Sequence, residues 1–402
     1  MRKSVYTIII TLMTALAAYA AAPVILTGED LPHLVGKPIA ALRVLDMAGR
    51  AIPFQVDEVT ESGEYVLDSG EIPNANEGTG VFGEKDEIVF LWDDADSHQR
   101  GGNSGAGGLV TLTRGSSTRA VIIRADPSIP LSPKRYIEYD HTAHRVVTPY
   151  YYADFAPNRF HFLRAGVRNF DTGRYIDLTN ELRVEILLRT LFGLIPVRYT
   201  EDNIVCFVRR YKVGPVRLIR RGDFHLNLGL GVRGSRAAVN QICYSQIVQV
   251  PVYISIPVRF RTLFSQAHIE MTPIIRETGR GFYFSVPSEN IRYSIGGDRI
   301  DTLHSANPAG KMFTLQNGNM GYGWLLRTTM NPAHLSGSGF LMRRPPTAGR
   351  AGTAECGFRL AVRDVPKGNY HITNWVVFSG GHAGDVGRLG RVIDLPVRVG
   401  GG

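Results

Sequence analysis

Two apolar runs joined by a polar, turn-rich segment lie between residues 52 and 96, and they constrain the fold of this chain more than any other feature. Residues 52–59 and 86–92 are rich in Val, Ile, Phe and Trp, and residues 74–80 between them are mostly polar and contain two glycines. Runs of this composition, bounded by turn-forming residues, are typical of paired β-strands. Similar short runs, separated by Gly or Pro, recur through most of the chain. The sequence therefore predicts an all-β protein.

The predicted all-β fold divides into antiparallel β-sandwiches. At about 150 residues per domain, 402 residues allow two or three domains, and a hydrophobic content of 44% suffices for a packed core. Residues 23–125 predict a small amino-terminal sandwich, and residues 145–402 predict a larger sandwich or super-sandwich. The proline-rich segment 126–144 between them is interpreted as a linker.

Residues 179–194 offer the one plausible helical alternative. Their leucine content favours a helix, whereas Val184, Ile186, Leu188 and Thr190 stand at alternate positions, as in a strand. We favour the strand.

A β-hairpin is predicted around Asn317 and Gly318. The dipeptide lies between the strand-like residues 312–316 and 322–327. Asn-Gly between two such runs is a strong signal for a two-residue hairpin loop.

The first 22 residues have the pattern of a secretory signal peptide. Arg2 and Lys3 precede an apolar stretch, residues 5–17, and small residues suited to cleavage follow it. The alternative is a membrane anchor, but the stretch is shorter than the roughly 20 residues of a spanning helix. No later run of 18 apolar residues occurs. We therefore expect export to the periplasm or cell surface, with no transmembrane span in the mature chain.

The net charge of +9 falls by two when the signal peptide is removed. A basic surplus favours anionic partners such as nucleic acid, acidic polysaccharide or a membrane surface. The arginines are scattered singly along strand-like segments, as at Arg183, Arg189 and Arg198, and form no dense cluster among aromatic residues. We expect no nucleic-acid partner.

Three cysteines, Cys206, Cys243 and Cys356, occur in a chain expected to be exported. They allow one intramolecular disulfide at most, and Cys206 with Cys243 is the favoured pair because both lie in strand-like segments. The alternative is three buried, inert thiols. No CxxC spacing suggests a zinc site.

Acidic residues gather at the ends of the two strands in residues 52–96 and suggest a metal site. Calcium suits such oxygen ligands, of which it needs six to eight, but the spacing is not that of an EF-hand. The alternative is that these acids are solvated or paired with arginines. No other cofactor is expected. The candidate ligands are Asp57, Asp86, Asp93, Asp94 and Asp96.

A candidate catalytic pair, His268 and Glu270, stands two residues apart on one predicted strand, so both face the same side. Histidine and a carboxylate together can perform general acid–base catalysis at a sugar carbon. His225 and Asn227 repeat the arrangement on another strand. The alternative is that such alternating polar residues only mark the solvent side of a sheet.

Aromatic residues concentrate after residue 148 and suggest a binding platform. Exposed Tyr and Trp rings bind the apolar faces of sugars and also serve protein interfaces. The alternative is that these rings fill the core between sheets. The candidates for binding are Tyr150, Tyr151, Tyr152, His225 and Trp324, with Phe155, Phe160, Tyr175 and Trp375 as further members.

Several enzyme classes with rigid signatures are excluded. The chain has no Gly-x-Ser-x-Gly, no HExxH, no phosphate-binding loop and no haem-attachment motif. Residues 335–339, Leu-Ser-Gly-Ser-Gly, only imitate a nucleophile elbow and are interpreted as a loop.

Three motifs carry a resemblance. Residues 49–58 have the pattern Gly-x-x-Ile-Pro-Phe-Gln-Val-Asp-Glu, residues 83–90 have Gly-x-x-Asp-Glu-Ile-Val-Phe, and residues 213–217 are Val-Gly-Pro-Val-Arg. The combination resembles uncharacterised exported bacterial β-proteins and is similar to carbohydrate-associated super-sandwich proteins of the galactose-mutarotase type. The resemblance implies a β-sandwich and glycan handling, and it carries over no catalytic residue.

The sequence thus favours an exported, non-catalytic binding or structural protein of the bacterial cell envelope, with a glycan or an envelope protein as partner. One alternative is a polysaccharide-acting enzyme, lyase or epimerase-like, that uses His268 and Glu270 in a concave sheet. Another is an assembly partner of a surface protein complex, in which the loops at residues 148–162 and 341–352 contact a second protein.

Overall fold

The computed structural model describes residues 22–97, 108–156, 162–190, 196–200, 203–227, 233–256, 259–296, 302–344, 354–381, 385–393 and 395–401. The predicted signal peptide, apart from Ala22, lies outside the described residues, as do Phe160 and most of the predicted partner loop at 341–352. No helix in the described part of the chain is long and apolar enough to cross a membrane.

The all-β prediction is confirmed, since the described residues form 28 strands, all paired antiparallel where their register is defined, and one α-helix, Asp385–Ile393. The strands are β1 Pro23–Thr27, β2 Leu42–Leu45, β3 Phe54–Asp57, β4 Ser69–Gly70, β5 Glu87–Leu91, β6 Asp96–Ser97, β7 Leu109–Arg114, β8 Ser117–Ala125, β9 Glu138–Asp140, β10 Arg145–Val147, β11 Tyr151–Phe155, β12 Phe162–Arg168, β13 Tyr175–Thr190, β14 Pro196–Tyr199, β15 Ile204–Val213, β16 Arg217–Asn227, β17 Arg233–Tyr244, β18 Ile247–Ile256, β19 Phe264–Ile275, β20 Tyr283–Val286, β21 Ile291–Ser294, β22 Thr302–His304, β23 Met312–Asn317, β24 Met320–Thr328, β25 Gly339–Arg343, β26 Ala354–Ala361, β27 Gly368–Phe378 and β28 Arg398–Gly401. Short 3-10 turns span Pro32–Leu34, Ile39–Ala41, Ala75–Glu77, Trp92–Asp94, Phe260–Thr262, Glu277–Gly279, Pro287–Glu289 and Pro332–His334.

The chain forms two compact units. Unit 1 contains the residues up to Glu138, together with Arg210–Leu218 and the residues from Arg388 onward. Unit 2 contains Tyr139–Arg209 and Ile219–Gly387. The first boundary falls within the segment 126–144 that the sequence suggests as a linker, but the two later additions to unit 1 come from distant parts of the chain. Such additions depend on long-range pairing, which composition along the chain does not reveal.

Unit 1 is a small β-sandwich. One sheet has the order β1-β5-β3, and the other has β2-β8-β7-β28, with β6 paired to β8. Both sheets contribute buried apolar side chains to a single core. Its buried members include Val24 and Phe90 of the first sheet, Trp92 directly after β5, and Leu112 and Ile123 of the second sheet.

Unit 2 is a larger sandwich of two sheets. The front sheet has the order β22-β25-β26-β19-β13-β12-β11-β10-β9, with β14 on β13, and the back sheet runs β21-β20-β23-β24-β27-β18-β17-β16-β15. Rings from the two sheets meet between them. Tyr151 of the front sheet stacks on Phe378 of the back sheet at 4.0 Å between centroids, and Trp324 meets Phe358 edge-on at 5.4 Å. Aromatic contacts of this kind hold the two layers together.

Local patterns predicted two elements of unit 2. The strand favoured for residues 179–194 is present as β13, which pairs with β19 along most of its length. The predicted hairpin joins β23 to β24, but its loop is shifted by one residue. Asn317 pairs with Met320, so the loop residues are Gly318 and Asn319. Gly318 has a φ of 57°, and glycine at the first loop position is characteristic of a type II′ turn.

The disulfide predicted between Cys206 and Cys243 is not present in the structure, where Cys206, Cys243 and Cys356 are all buried free thiols. Cys206 lies on β15 and Cys243 on β17, and β16 lies between these strands. Two strand spacings separate backbones by roughly 9.5 Å, beyond the about 7 Å that a disulfide can span. Burial raises the pKa of both the Cys206 and Cys243 thiols to about 12.

Candidate binding site

The aspartates predicted to bind calcium are dispersed, and each has its own partner within unit 1. The described residues contain no group of three or more acidic, histidine or cysteine side chains arranged to hold a metal ion. The predicted calcium site is therefore not assembled, because arginine, lysine, tyrosine and backbone amides engage these carboxylates separately. The partners are Arg217 and Lys212 for Asp57, the backbone amides of Val59 and Gly83 for Asp86, Arg119 for Asp93, Lys134 and Tyr136 for Asp94, and the backbone amide of Met47 for Asp96.

Asp57 is the centre of a buried ionic cluster in unit 1. Its side chain and that of Arg217 are both fully buried, and Arg217 Nε donates to Asp57 Oδ2 at 2.8 Å. Lys212 Nζ lies 3.0 Å from Asp57 Oδ1, and Gln55 Nε2 donates to both carboxylate oxygens at 2.8 Å. Arg217 also pairs with Glu87 at 2.5 Å. We call these five residues the Asp57–Arg217 cluster.

The three sequence motifs that carry the resemblance meet in this cluster. Residues 49–58 supply Gln55 and Asp57, residues 83–90 supply Glu87, and residues 213–217 supply Arg217. A Cβ on Gly214 would stand 1.7 Å from Gln55 Oε1, so the glycine is required for this close approach. Because Asp57 is fully buried and both of its carboxylate oxygens are paired, the carboxylate has no position open to a ligand.

The predicted catalytic residue Glu270 is buried and belongs to a row of alternating charges in unit 2. Arg343 NH1 lies 3.0 Å from Glu270 Oε2, and Arg359 Nε donates to Glu270 Oε1 at 2.7 Å. Further pairs extend the row across neighbouring strands. We call it the arginine–glutamate ladder, and its order is Arg198, Glu185, Arg183, Glu355, Arg343, Glu270, Arg359. Glu270 Oε1 thus accepts a hydrogen bond from Arg359, whereas Oε2 lies within ion-pair distance of Arg343 but accepts no hydrogen bond among the described residues.

His268, the proposed partner of Glu270, lies on the same strand, β19, and is half-buried. Burial lowers the pKa of His268, and the nearby Arg359 lowers it further, while Glu270 acts in the opposite direction. The imidazole is therefore neutral at neutral pH.

We expect an NMR titration of His268 to give a pKa below 6.5, the usual value for histidine. Because the depressed pKa belongs to the folded state, the stability that neutral His268 contributes is present above the unfolded pKa and is lost as pH falls through the folded pKa. The exposed imidazole of an unfolded reference peptide serves as control. A midpoint at or above that of the peptide contradicts the expectation.

The predicted aromatic platform is divided between the core and the surface. Tyr151 is fully buried and Trp324 is 3% exposed, so neither ring can meet a ligand. Tyr150 packs against Phe170 with centroids 5.7 Å apart. His225 lies on β16, but its side chain is outside the described part of the chain. Among the candidates whose side chains the structure describes, Tyr152 and Tyr175 line a surface pocket.

This pocket lies on the outer face of the front sheet of unit 2. Tyr151 points toward the back sheet, so the next residue, Tyr152, faces outward. The pocket has a volume of about 460 Å³, within the roughly 300–1,000 Å³ typical of small-molecule sites. It is lined by Arg145, Val147, Tyr152, Arg164, Arg174, Tyr175 and Asp177.

Cross-strand register builds the floor of the pocket. Val147 pairs with Tyr152, Tyr152 pairs with Gly166, and Gly166 pairs with Asp177 across β10 to β13. The Tyr152 ring lies over Gly166, where a Cβ would stand 2.2 Å from Tyr152 Cε1. The absence of a side chain at Gly166 therefore lets the Tyr152 hydroxyl cross β12 and donate a hydrogen bond to Asp177.

Tyr152 and Tyr175 stand edge to face, with ring centroids 5.7 Å apart and planes at 89°. The Tyr175 hydroxyl donates to the carbonyl oxygen of Thr148, which fixes the ring. Burial raises the pKa of Tyr152 well above its usual value, and the hydrogen bond to Asp177 acts in the same direction. Tyr152 is therefore a neutral donor at neutral pH.

Arginines give the pocket a positive rim. Arg164 NH2 lies 2.7 Å from Asp177 Oδ2, which Arg276 NH1 also approaches at 3.4 Å. Arg145 forms a two-point pair with Asp154, at 2.5 and 2.8 Å. Arg174 is exposed, and the part of the chain that the structure describes provides it with no carboxylate partner.

Sequence reasoning missed most of this pocket. It selected Tyr152 and Tyr175 but not Arg145, Arg164, Arg174 or Asp177. Alternation within each strand could have placed them on polar faces, but their convergence depends on the pairing of four strands. No single segment carries that information.

No protein-family model and no curated protein matches this chain. Solved structures with a similar fold include an alpha-mannosidase from Enterococcus faecalis V583, at 9% identity and a TM-score of 0.48 over 95% of this chain and 45% of that one. Another is a protein in the glycosyl hydrolase family 38 from Enterococcus faecalis, at 7% identity and a TM-score of 0.46 over 95% and 46%. This chain thus spans less than half the length of either protein.

Proposed function

We propose that this protein is an exported, non-catalytic saccharide-binding protein and that the pocket of unit 2 is its binding site. The observation that carries the proposal is the combination of two fixed tyrosine rings with a rim of guanidinium groups around one cavity. Aromatic rings pack against the apolar faces of sugars, and arginine and aspartate side chains hydrogen-bond hydroxyl groups. Export is supported by the signal-peptide pattern of residues 1–22.

Binding without turnover is supported by the state of the candidate acids and bases. Glu270 is engaged by two arginines in the arginine–glutamate ladder. Asp177 accepts hydrogen bonds from Tyr152 and Arg164. Tyr152 has a raised pKa because it is buried and bonded to Asp177, so its phenolate is scarce at neutral pH. A general base needs a proton-accepting form near the working pH. These three groups are held by structural partners, and His268, which is neutral and could accept a proton, does not line the pocket.

The proposal predicts that Tyr175→Ala weakens saccharide binding about tenfold, which corresponds to about 1.4 kcal/mol. The lost ring removes packing area at the pocket wall. Tyr175→Phe keeps the ring and should retain most of the affinity. A glycan array on the mature protein selects the saccharide, and isothermal titration calorimetry then compares the variants.

Tyr253→Ala is the matched control, because Tyr253 is 68% exposed on the back sheet and stacks on His371, away from the lining of the pocket. It should leave the affinity unchanged. Circular dichroism checks that each variant is folded. Equal affinities for wild type and Tyr175→Ala would contradict the proposed site, and turnover of the bound saccharide would contradict the non-catalytic role.

A further inference from the structure

We infer that the saccharide bound in this pocket is acidic, and that Arg174 contacts its anionic group. The inference rests on the proposed function and narrows it to one class of ligand: a saccharide that carries a carboxylate or a sulfate. The observations behind it are the charge balance around the pocket and the position of Arg174.

The charged groups at the pocket do not balance. The charged side chains in the pocket lining are those of Arg145, Arg164, Arg174 and Asp177. Asp154 is occupied by Arg145, and Asp177 is shared between Arg164 and Arg276. Arg145 and Arg164 are thus each paired with a carboxylate, and among the described residues the lining keeps a surplus of one positive charge, that of Arg174. An anionic ligand would offset this surplus, whereas a neutral one would leave it unchanged.

Arg174 is the group best placed to meet that anion. It immediately precedes Tyr175 and lines the same cavity, so a sugar ring against Tyr175 lies within reach of its guanidinium group. Its side chain is exposed, and no described carboxylate competes for it. Guanidinium groups bind carboxylate and sulfate-like oxyanions through two parallel hydrogen bonds. Arg164 differs, since Asp177 already accepts from both its Nε and NH2.

The ordinary alternative is that Arg174 is one more solvated arginine in a basic chain. Two features distinguish it from Arg135, which is exposed in unit 1 and does not line the pocket. Arg174 shares a cavity with two tyrosine rings, and it lies beside two arginines that are already paired with carboxylates, so it is the lining cation without a described carboxylate. Arg135 is therefore the matched control, because its replacement removes the same charge from a site outside the pocket.

The test uses hexuronate trisaccharides, their carboxyl-reduced neutral forms and sulfated neutral trisaccharides as probes, with affinity measured by titration calorimetry. We expect the wild type to bind at least one acidic probe about tenfold more tightly than its neutral form at low salt. Arg174→Gln should remove most of this preference, because it should weaken binding of the acidic probe much more than binding of its neutral form. Arg174→Lys should restore part of it, and Arg135→Gln should have no effect. Salt should weaken the acidic preference, since the interacting groups are exposed.

The outcomes separate this inference from the proposed function. Equal binding of acidic and neutral probes, unaffected by Arg174→Gln, would overturn the acidic ligand and leave saccharide binding intact, provided that Tyr175→Ala still weakens both. Binding of no saccharide would overturn both proposals. Tighter binding of the uronates assigns a carboxylate, and tighter binding of the sulfated probes assigns a sulfate; both support the inference.

Discussion

Replacing Asp57 with asparagine is expected to lower the free energy of unfolding of unit 1 by about 3–5 kcal/mol. The substitution leaves the fully buried guanidinium group of Arg217 without its principal counter-charge. Glu87 remains as a partner at 2.5 Å, but it is partly exposed. Lys212 also loses its carboxylate, although it keeps a hydrogen bond to the carbonyl oxygen of Val56 at 2.7 Å. Removing one partner of a buried ion pair lowers the unfolding free energy by more than the intact pair contributes, because the remaining charge stays buried without a counter-charge.

Native-state hydrogen exchange in urea, followed for peptides that cover β3 and β5, measures this loss where the cluster lies. Asp93→Asn is the control. Asp93 is 44% exposed and meets Arg119 at 3.6 Å, and exposed pairs of this kind contribute about 0–1 kcal/mol. A destabilisation below about 1 kcal/mol in Asp57→Asn would show that the cluster is less isolated from water than its burial indicates.

Asp57 also makes the stability contributed by this cluster depend on pH. Burial raises the pKa of Asp57, but Arg217 and Lys212, with the hydrogen bond from Gln55, outweigh burial and hold it below the usual value of 3.8. A carboxyl whose folded-state pKa is depressed contributes stability above the unfolded pKa and loses it as pH falls through the folded pKa. The Asp57→Asn difference should therefore be largest near neutral pH and shrink below about pH 4.

The Asp57–Arg217 cluster also shows what sequence reasoning can and cannot reach. Strand patterns located β3 and β5 and drew attention to the acids at their ends. They did not show that Arg217, which lies 160 residues after Asp57, enters the same site. Without that cation, a concentration of carboxylates is interpreted most simply as a metal site. The local pattern was informative about strands, whereas the partner of each acid depends on tertiary pairing.

The tyrosine run at residues 150–152 illustrates the same limit. Alternation requires Tyr151 and Tyr152 to face opposite sides of β11, but it does not say which side is covered by a second sheet. The contact of Tyr151 with Phe378 decides this, and Tyr152 consequently lies in the pocket. Gly166 has no local signature either, since its role depends on the ring of Tyr152 from the neighbouring strand. Alternation in the sequence predicts which residues share one face of a strand. It does not predict which faces of different strands come together to form a site.

Glu270→Gln is expected to destabilise unit 2 by about 3 kcal/mol, near the lower end of the range for breaking a buried ion pair. Glu270 itself is buried, but Arg343 and Arg359 retain side-chain exposures of 21% and 26%, so water recovers part of the lost interaction. Glu277→Gln is the control, because the side chains of Glu277 and its partner Arg280 are 66% and 63% exposed. Native-state hydrogen exchange in urea, measured on peptides that cover β19 and β26, gives the difference in unfolding free energy between each variant and the wild type.

This measurement discriminates between the structural and catalytic interpretations of Glu270. Glu185 and Glu270 stand directly opposite each other on β13 and β19, and like charges in that position destabilise a sheet unless cations lie between or beside them. The ladder supplies such cations, since Arg359 of β26 stands opposite Glu270 on the other edge of β19.

If offsetting this repulsion is the role of Glu270, a double-mutant cycle of Glu270→Gln with Arg359→Gln should show coupling above about 0.5 kcal/mol, and saccharide affinity should be unchanged. If Glu270 instead serves catalysis, its replacement should leave stability intact and abolish a turnover that the wild type performs. The alternating order of the ladder favours the first result, because Arg183 and Arg343 each pair with two glutamates, so that a cation separates successive glutamates in the row.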